Sequence, residues 1–301
     1  MLTTFLTRAE VSRRMQALHL LDEVKQAFAV RGVQQTVHFD VAGQPPTALR
    51  LATHPGIPAW SLTVKTDQPA DSKVSGTVVQ VFDAESGKLL ALMDGGHLTT
   101  LRASIVGALA ADVLARTDAT NVALLGVGPA VSSALKALRL VRSLERVTLF
   151  DEDLAASTEQ AMKLQATLSA RVKACETVEE AVALADIVVL TGAVPLPTDC
   201  VRDGAHVTVM SAERWQKSPL PEALLARARC FSDEKTSLPW APALQGDLSQ
   251  VLSAAVAPRA SVEQVTVFLS TGPPFLDLIA AWHVCEGAKH DEAVTRLNLD
   301  A

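Results

Sequence analysis

A short glycine loop is the part of this chain whose residue types most clearly indicate chemistry. An apolar segment, residues 122–125, leads into Gly126-Val-Gly128 and then into Pro129 and Ala130, which can open a helix. Gly126 allows the chain to turn sharply, and Gly128 places no Cβ between the backbone and a bound pyrophosphate. The N–H groups at the start of the helix would attract the phosphate charge. The spacing therefore predicts that the two glycines and the two residues after them form the phosphate end of a dinucleotide site.

An acidic residue after the next apolar segment indicates which dinucleotide is bound. Residues 147–150 end at Asp151, whose carboxylate can accept hydrogen bonds from the adenosine ribose hydroxyls and repels a 2′-phosphate. The third position of the glycine pattern is Val131, and glycine loops after apolar strands also occur in α/β proteins that bind no nucleotide. Strand, loop, helix, strand and acid together favour NAD as the cofactor, with NADP less favoured.

The composition excludes several other classes of protein. The chain has 301 residues, enough for two domains, and a formal net charge of -6, so neither nucleic acid nor a membrane is an expected partner. The first residues do not form a secretory signal, which predicts a cytoplasmic protein. The 4 cysteines and 7 histidines have no metal-ligand spacing, so no metal site is expected. Tyrosine is absent, which excludes a catalytic Tyr–Lys pair.

The pattern of elements predicts two domains with different folds. Residues after Asn121 alternate between short apolar strands and amphipathic helices, which is typical of a doubly wound parallel sheet of the Rossmann type. The preceding residues have helices, extended segments and a hairpin, which predicts an α+β domain. The last helix begins after Pro273, is followed by no predicted strand and is expected to return to this first domain. We therefore predict one domain from residues 1–116 and 273–301, and a Rossmann domain from residues 117–272.

Several motifs resemble the ornithine cyclodeaminase/mu-crystallin family over nearly the whole chain. The most specific is the segment 89–111, in which Asp94-Gly95, Leu98-Thr99 and Leu101-Arg102 are similar to the family's pattern between a hairpin and a long helix. Further similarities lie in the glycine loop and in residues 5–11, 203–207, 266–272 and 276–278.

This resemblance implies a homodimer, whose first domain binds the substrate and pairs the subunits, and nicotinamide chemistry on a small amino or imino acid. In the family's prototype reaction, ornithine loses ammonia and closes to proline while the cofactor is recycled. Other members reduce ketimines such as Δ1-pyrroline-2-carboxylate or oxidise amino acids. The leading hypothesis is therefore an NAD-dependent cyclodeaminase, with a ketimine reductase or an amino-acid dehydrogenase as the nearest alternative. A non-catalytic binding protein, as with some mu-crystallins, is the alternative from another class.

The resemblance also implies roles for three basic residues. Arg102 would hold the substrate carboxylate with its planar guanidinium, although an arginine at a helix end can also be a surface residue. Arg50 matches the family's second carboxylate ligand, but a charge in an apolar strand can equally face solvent. Lys65 matches the active-site lysine, which exchanges a proton with the substrate nitrogen or with water, and its alternative is an exposed strand lysine.

The remaining site residues are neutral or acidic. Glu213 stands where cyclodeaminases have an aspartate that orients or deprotonates the attacking amine, and a surface glutamate is the alternative. Thr77 is expected to touch the substrate or the nicotinamide. Ser270 and Gly272, in a Thr-Val-Phe-x-Ser-x-Gly motif, are expected to line the nicotinamide end. Asp277 fits an acidic position of the family and is expected to be a helix first-turn acid or the partner of a buried arginine.

Overall fold

The chain forms two compact units by its internal contacts. Unit 1 comprises Met1–Arg102 and Pro273–Ala301, and unit 2 comprises Ala103–Gly272. The division falls inside a long helix, whereas the sequence predicts it after that helix. None of the described helices combines the length and the apolar composition that crossing a lipid bilayer requires. The computed structural model describes residues 2–30, 32–39, 46–66, 76–192, 194–215, 217–235 and 238–299.

The first part of unit 1 is a run of strands with short helices near its start. Its strands are β1 (Leu2–Leu6), β2 (Gln34–Phe39), β3 (Thr47–Thr53), β4 (Ala59–Thr66), β5 (Thr77–Asp83) and β6 (Leu89–Asp94). Its helices are α1 (Arg8–Arg14), α2 (Ala17–Ala27) and the start of α3 (Gly95–Leu114). Helix α1 begins at a capping box, because the side chains of Thr7 and Glu10 each accept a hydrogen bond from the other's backbone N–H.

Unit 2 alternates strands and helices along the chain. Its strands are β7 (Asn121–Leu125), β8 (Arg146–Phe150), β9 (Arg171–Ala174), β10 (Ile187–Leu190), β11 (His206–Val209), β12 (Arg229–Ser232), β13 (Gly246–Asp247) and β14 (Thr266–Leu269). Its further helices are α4 (Pro129–Val141), α5 (Leu154–Gln165), α6 (Val178–Val182), α7 (Glu222–Arg227) and α8 (Leu248–Leu252). The strands lie in the order β13-β12-β14-β11-β10-β7-β8-β9, and each described pairing is parallel. The predicted Rossmann-type fold class is confirmed.

The chain then returns to unit 1 through helix α9 (Pro274–Ala288) and strand β15 (Thr295–Asn298). The prediction that no strand follows the last helix is wrong, because β15 pairs antiparallel with β1. Strand β15 lies at the edge of its sheet and its side chains are exposed or half-buried. An edge strand of this kind needs no apolar alternation, so its sequence lacks the signal that predicts a strand.

Helix α9 covers one face of the sheet of unit 1. The strands lie in the order β15-β1-β6-β5-β4-β3-β2, and α9 packs against β2, β3, β4 and β5. The odd-numbered residues 59–63 of β4 and 77–81 of β5 are buried, whereas the residues between them are not. This alternation is expected of a sheet that has one covered face. Arg50 and Thr77, two of the three predicted substrate-binding residues, lie on this buried face, whereas Arg102 lies on α3.

In unit 2, the order of strands reverses between β7 and β10. Gly126 follows β7, and Thr191 and Gly192 follow β10. A Cβ on Gly126 would lie 2.7 Å from Thr191 Oγ1 and 2.9 Å from Gly192 N, and the φ of Gly126 is +117°. Only glycine fits this position without strain. In open α/β sheets, ligands bind at the carboxyl ends of the strands where the order reverses.

Candidate active site

Two buried arginines of unit 1 share one buried carboxylate. Arg102 Nη2 donates a hydrogen bond to Asp277 Oδ1 at 2.5 Å, and Arg50 Nη1 lies 3.2 Å from Asp277 Oδ2. The exposed fractions of Arg50, Arg102 and Asp277 are 8%, 4% and 0%. Buried charge is costly unless it is paired, and Asp277 contacts both guanidiniums. Arg102 Nε is buried and has no hydrogen-bond partner among the described residues, so this guanidinium keeps a donor for a further anionic group.

Asp277 connects the two arginines from the first turn of α9. A carboxylate in the first helical turn also interacts favourably with the positive end of the helix dipole. Both roles that the sequence predicts for Asp277, first-turn acid and partner of a buried arginine, are confirmed. The tertiary structure adds that one carboxylate serves both arginines.

The strand register places other predicted site residues on the covered face of the sheet. Arg50 of β3 lies opposite Thr63 of β4, and Lys65 of β4 lies opposite Thr77 of β5. Because residues two apart on a strand share a face, Arg50 and Lys65 are diagonal neighbours, with Cβ atoms about 7 Å apart. Thr77 is buried and Lys65 is half-buried. The structure thus brings Arg50, Lys65 and Thr77 to the same face of one sheet.

Buried polar atoms without a hydrogen-bond partner occur around this set. Among the residues that the structure describes, they include Ser61 Oγ, Thr63 Oγ1 and Arg102 Nε. Thr63 lies directly opposite Arg50, and Ser61 is the next residue along β4 on the same face. Buried polar groups nearly always have a partner from the protein, from water or from a ligand. These atoms, together with Asp277 Oδ2, would give a polar ligand hydrogen-bonding partners.

A glycine brings helix α3 close to the same strands. A Cβ on Gly95 would lie 2.5 Å from Thr77 Cγ2 and 3.1 Å from Val79 Cγ2. A larger residue would therefore push the start of α3 away from β5. Arg102 lies about two turns farther along α3, so this close approach sets the position of its guanidinium. Packing thus explains Gly95 of the Asp94-Gly95 pair, which the sequence offers only as part of a resemblance.

The glycine loop of unit 2 has the backbone geometry of a phosphate-binding turn. Gly126 and Gly128 have φ values of +117° and +96°, and Pro129 is the first residue of α4. A Cβ on Gly128 would have no neighbour within 4 Å, so the loop faces open space. The N–H groups of Ala130 and Val131 in the first turn of α4 have no intrahelical acceptor. These features fit a pyrophosphate bound at the start of α4.

The N–H of Gly128 itself already has a partner. It donates to Gln160 Oε1 at 2.7 Å, and Gln160 Nε2 donates to Gly128 O at 3.0 Å. Gln160 lies on α5, outside the glycine motif, and sequence reasoning missed it. The hydrogen bond leaves the Ala130 and Val131 N–H groups as the donors for a phosphate in this loop.

Asp151 lies directly after β8, where the sequence predicts the ribose-binding acid. Its side chain is half-buried, and Asp151 Oδ1 accepts a hydrogen bond from Asp153 N at 3.0 Å. Glu152 and Asp153 follow it, so three consecutive carboxylates stand at this end of β8. Their negative charge would oppose a phosphate on the 2′-oxygen of a ribose bound there.

Asp233 holds the loop that contains Ser270 and Gly272. Its Oδ2 accepts hydrogen bonds from Ser270 Oγ at 3.1 Å and from Gly272 N at 2.8 Å, and its Oδ1 accepts two from Thr271. Asp233 and Ser270 are both buried. The Ser270 hydroxyl therefore holds this loop together, and the predicted role of Ser270 and Gly272 at the nicotinamide stays a prediction. Sequence reasoning missed Asp233, although an acid directly after a predicted strand was a usable signal.

Glu213 lies on a 3-10 turn, Ala212–Arg214, that follows β11. Its side chain is exposed, and the preceding Ser211 has a φ of +52°. Ala212 N donates to Ser270 O at 2.7 Å, which ties this turn to the loop that Asp233 holds. An exposed carboxylate is hydrated, whereas Lys65 is half-buried. The predicted catalytic role of Glu213 stays a prediction.

Two other buried groups of unit 2 are held in their neutral forms. Burial lowers the pKa of His206 to about 3, and its ring nitrogens contact the hydroxyls of Thr266 and Thr208. Burial raises the pKa of the Cys230 thiol to about 12. A neutral thiol is a weak nucleophile, and an imidazole with so low a pKa is not a proton donor near neutral pH. Neither group is therefore suited to catalysis.

Comparison with known proteins identifies relatives from one protein family along most of the chain. The sequence profile of the ornithine cyclodeaminase/mu-crystallin family matches residues 2–292. The Delta(1)-pyrroline-2-carboxylate reductase of Bacillus cereus is 26% identical over 270 residues, covering 82% of this chain and 83% of the relative. The ketimine reductase mu-crystallin of Mus musculus is 28% identical over 214 residues, covering 67% of this chain and 66% of the relative.

A solved structure has the same fold. The Delta(1)-pyrroline-2-carboxylate reductase of Thermococcus litoralis, in complex with NADH and L-proline, superimposes with a TM-score of 0.87 at 17% identity. The match covers 98% of this chain and 100% of that chain.

Proposed function

Since the chain belongs to the ornithine cyclodeaminase/mu-crystallin family, we propose that it is an NADH-dependent reductase of cyclic imino acids of the Δ1-pyrroline-2-carboxylate type. The observation that carries this proposal is the buried Arg102, which Asp277 holds beside Arg50 and whose Nε has no hydrogen-bond partner among the described residues and so suits a carboxylate. Relatives that bear the name of such reductases support the substrate class. The reductase, an alternative from the sequence, thus takes precedence over the cyclodeaminase.

In the proposed reaction, Arg50 and Arg102 bind the substrate carboxylate. A guanidinium offers paired N–H donors that match the two oxygens of a carboxylate. Asp277 orients both guanidiniums, since each of its oxygens contacts one of them. A carboxylate held at two points fixes the position of the adjacent imine carbon. Less conformational freedom is then lost when the bound substrate reaches the transition state.

Lys65 is the proposed proton donor. Reduction of the imine adds a hydride to carbon and a proton to nitrogen. NADH supplies the hydride when it is bound and leaves as NAD⁺. The ammonium of Lys65 gives its proton to the imine nitrogen and regains one from water. The position of Lys65, diagonal to Arg50 and opposite the buried Thr77, supports this role.

Unit 2 supplies the proposed NAD(H) site. The open face of Gly128, the first turn of α4 and the acids that start at Asp151 support binding of a pyrophosphate and an unphosphorylated ribose. The NADH in the T. litoralis reductase is consistent with this cofactor. We propose that the phosphate lies against Gly126, Gly128, Pro129 and Ala130, with the Ala130 and Val131 N–H groups as its donors. We assign the ribose to Asp151 and the nicotinamide end to Ser270 and Gly272.

A cyclodeaminase is the second candidate, and Glu213 is the observation that favours it. A carboxylate at this position could deprotonate the side-chain amine of ornithine, which would then close to proline with loss of ammonia. This reaction returns the hydride to the product, so it uses NAD⁺ without net consumption. The exposure of Glu213 makes this candidate the weaker of the two.

Absorbance at 340 nm separates the candidates. With Δ1-pyrroline-2-carboxylate, a reductase consumes one NADH for each imine reduced. With ornithine and NAD⁺, a cyclodeaminase releases ammonia with no lasting NADH, whereas an amino-acid dehydrogenase accumulates NADH steadily. We expect the first result. Ammonia release without NADH oxidation by the imine would overturn the proposal, and tight binding of imino acids without turnover would favour the non-catalytic alternative.

We also propose that the protein is a homodimer that pairs through unit 1. On the sheet face opposite to α9, Val37, Phe39, Leu51 and Val78 are 41%, 45%, 37% and 39% exposed. Contiguous exposed apolar residues on a sheet are typical of a surface covered in an assembly. Light scattering should give twice the 31.9 kDa of one chain, and a monomer at micromolar concentration would contradict this. The cytoplasmic location stays a prediction.

A further inference from the structure

One side chain of helix α5 binds both backbone groups of the second glycine of the loop. Gln160 Oε1 accepts the Gly128 N–H at 2.7 Å, and Gln160 Nε2 donates to Gly128 O at 3.0 Å and to Ser132 Oγ at 3.2 Å. The orientation of the amide follows from chemistry, because only its oxygen can accept from an N–H and only its nitrogen can donate to a carbonyl. A single amide group thus joins α5 to the loop and to the first turn of α4.

Gly128 depends on such a contact for a defined conformation. Its φ and ψ are 96° and -163°, and glycine populates positive and negative φ with similar ease. A Cβ there would meet no atom within 4 Å, so packing does not restrict this part of the turn. The first glycine differs, because Gly126 N donates to Phe150 O at 2.8 Å and its backbone packs against Gly192. Gln160 therefore restrains the open end of the loop.

Helix α5, which carries Gln160, is held in position by an N-cap and by packing on the sheet. Asp153 caps the N-terminus of α5 by accepting a hydrogen bond from Ala156 N, and the buried side chains of α5 include the small residues Ser157 and Ala161. Small buried residues let α5 lie close to β8 and β9, which it contacts. Side chains on a helix are positioned more accurately than those on a loop.

We propose that Gln160 is a positioning residue for the dinucleotide: it holds Gly128 so that the Ala130 and Val131 N–H groups are arranged before the pyrophosphate binds. This inference rests on the proposed function, which supplies NADH as the ligand. A loop that is ordered in advance loses less conformational entropy on binding, and the affinity is correspondingly higher. Gln160 acts through the backbone and does not contact the phosphate.

The chain offers a matched control on the same helix. Gln165 also joins α5 to a backbone segment, since its Oε1 accepts from Val172 N at 2.8 Å and its Nε2 donates to Ala170 O at 3.1 Å. These hydrogen bonds lie at the far end of α5 from the glycine loop. Gln160→Met and Gln165→Met both keep the side-chain length and remove an amide that binds the backbone.

The experiment measures NADH binding by fluorescence titration, the KM values of both substrates, and the thermal unfolding temperature. We expect Gln160→Met to raise the Kd for NADH about tenfold, equivalent to about 1.4 kcal/mol, with no change in the KM of the imine. Gln160→Glu should bind NADH more weakly still, because a carboxylate cannot donate to Gly128 O and adds negative charge near the phosphate. Gln165→Met should leave the Kd for NADH unchanged at a similar unfolding temperature.

Several results would overturn the inference. An unchanged Kd in Gln160→Met or Gln160→Glu would show that the contact does not support the loop. Tighter NADH binding in Gln160→Met would mean that Gln160 competes with the phosphate for the Gly128 N–H. An equal increase of the Kd for NADH in Gln165→Met would show that both substitutions weaken binding only by destabilising the protein. If the unsubstituted protein binds no NADH, the proposed function fails as well, whereas the other results leave that function intact.

Discussion

The two candidate sites of this protein are built in different ways. In unit 1, charged side chains from β3, α3 and α9 form the site, and Arg102 and Asp277 are 175 residues apart in the sequence. In unit 2, the backbone of one continuous loop and one helix N-terminus form most of the site. The charged set depends on every member being present, because a buried charge needs its partner. The loop depends on the conformation of individual residues. Substitutions in unit 1 should therefore affect stability and catalysis, whereas substitutions in the loop of unit 2 should affect NADH binding and local stability.

Removal of the shared carboxylate is expected to have the largest effect. Asp277→Ala leaves two buried guanidiniums without it and should lower the free energy of unfolding by about 3–5 kcal/mol, measured by urea denaturation. Asp291→Ala is the control, because it removes the half-exposed partner of another arginine, Arg14. A loss in Asp277→Ala no greater than that in the control would contradict the view that unit 1 depends on its charged set.

Truncation of one arginine separates catalysis from stability. Arg102→Ala should lower kcat/KM for the imine roughly 100-fold, which corresponds to a loss of about 3 kcal/mol of transition-state stabilisation. The Kd for NADH should stay within a few fold of its original value. Arg14→Ala removes an arginine of similar burial in the same unit and should leave kcat/KM unchanged. If Arg102→Ala instead loses NADH binding, or if Arg14→Ala reduces kcat/KM equally, the carboxylate-binding role of Arg102 is wrong.

The two loop glycines should respond differently to the same substitution. Gly126→Ala combines a positive φ with overlap at Thr191 Oγ1 and Gly192 N, and should cost about 3 kcal/mol of unfolding free energy. Gly128→Ala meets no atom and should cost about 1 kcal/mol from φ alone, but it should weaken NADH binding because its Cβ enters the space for the phosphate. Urea denaturation and NADH titration measure both. Equal losses of stability would show that packing at Gly126 is looser than the structure indicates.

The smallest expected effect concerns the choice of cofactor. Asp151→Ser removes the carboxylate that opposes a 2′-phosphate and should shift the ratio of kcat/KM for NADH over NADPH about tenfold towards NADPH, near 1.4 kcal/mol. Glu152→Ser, at the neighbouring exposed acid, is the comparison and should shift the ratio less. An unchanged ratio in Asp151→Ser would place cofactor choice elsewhere.

Local patterns account for what could be predicted. The capping residues, glycines, acids and apolar runs of residues 121–151 lie within one strand–helix–strand segment, so their spacing alone indicates the geometry that the structure has. In unit 1, by contrast, β15 has too few apolar residues to be predicted, and β2 has mostly exposed side chains. The role of Asp277 was predicted from its helix position, but its sharing between two arginines was not.

The sequence by itself determined the family, the Rossmann-type sheet, the glycine turn and the acid after β8, because these depend on neighbours along the chain. Only the tertiary structure decided which side chains meet: Asp277 with two arginines, Asp233 with the Ser270 loop, and Gln160 with Gly128. In each of these contacts a polar group pairs with a partner 32 to 227 residues away, from Gln160 with Gly128 to Asp277 with Arg50 (277 − 50). Such pairs arise when packing removes water from polar groups, which must then bind each other, and no local propensity encodes that choice.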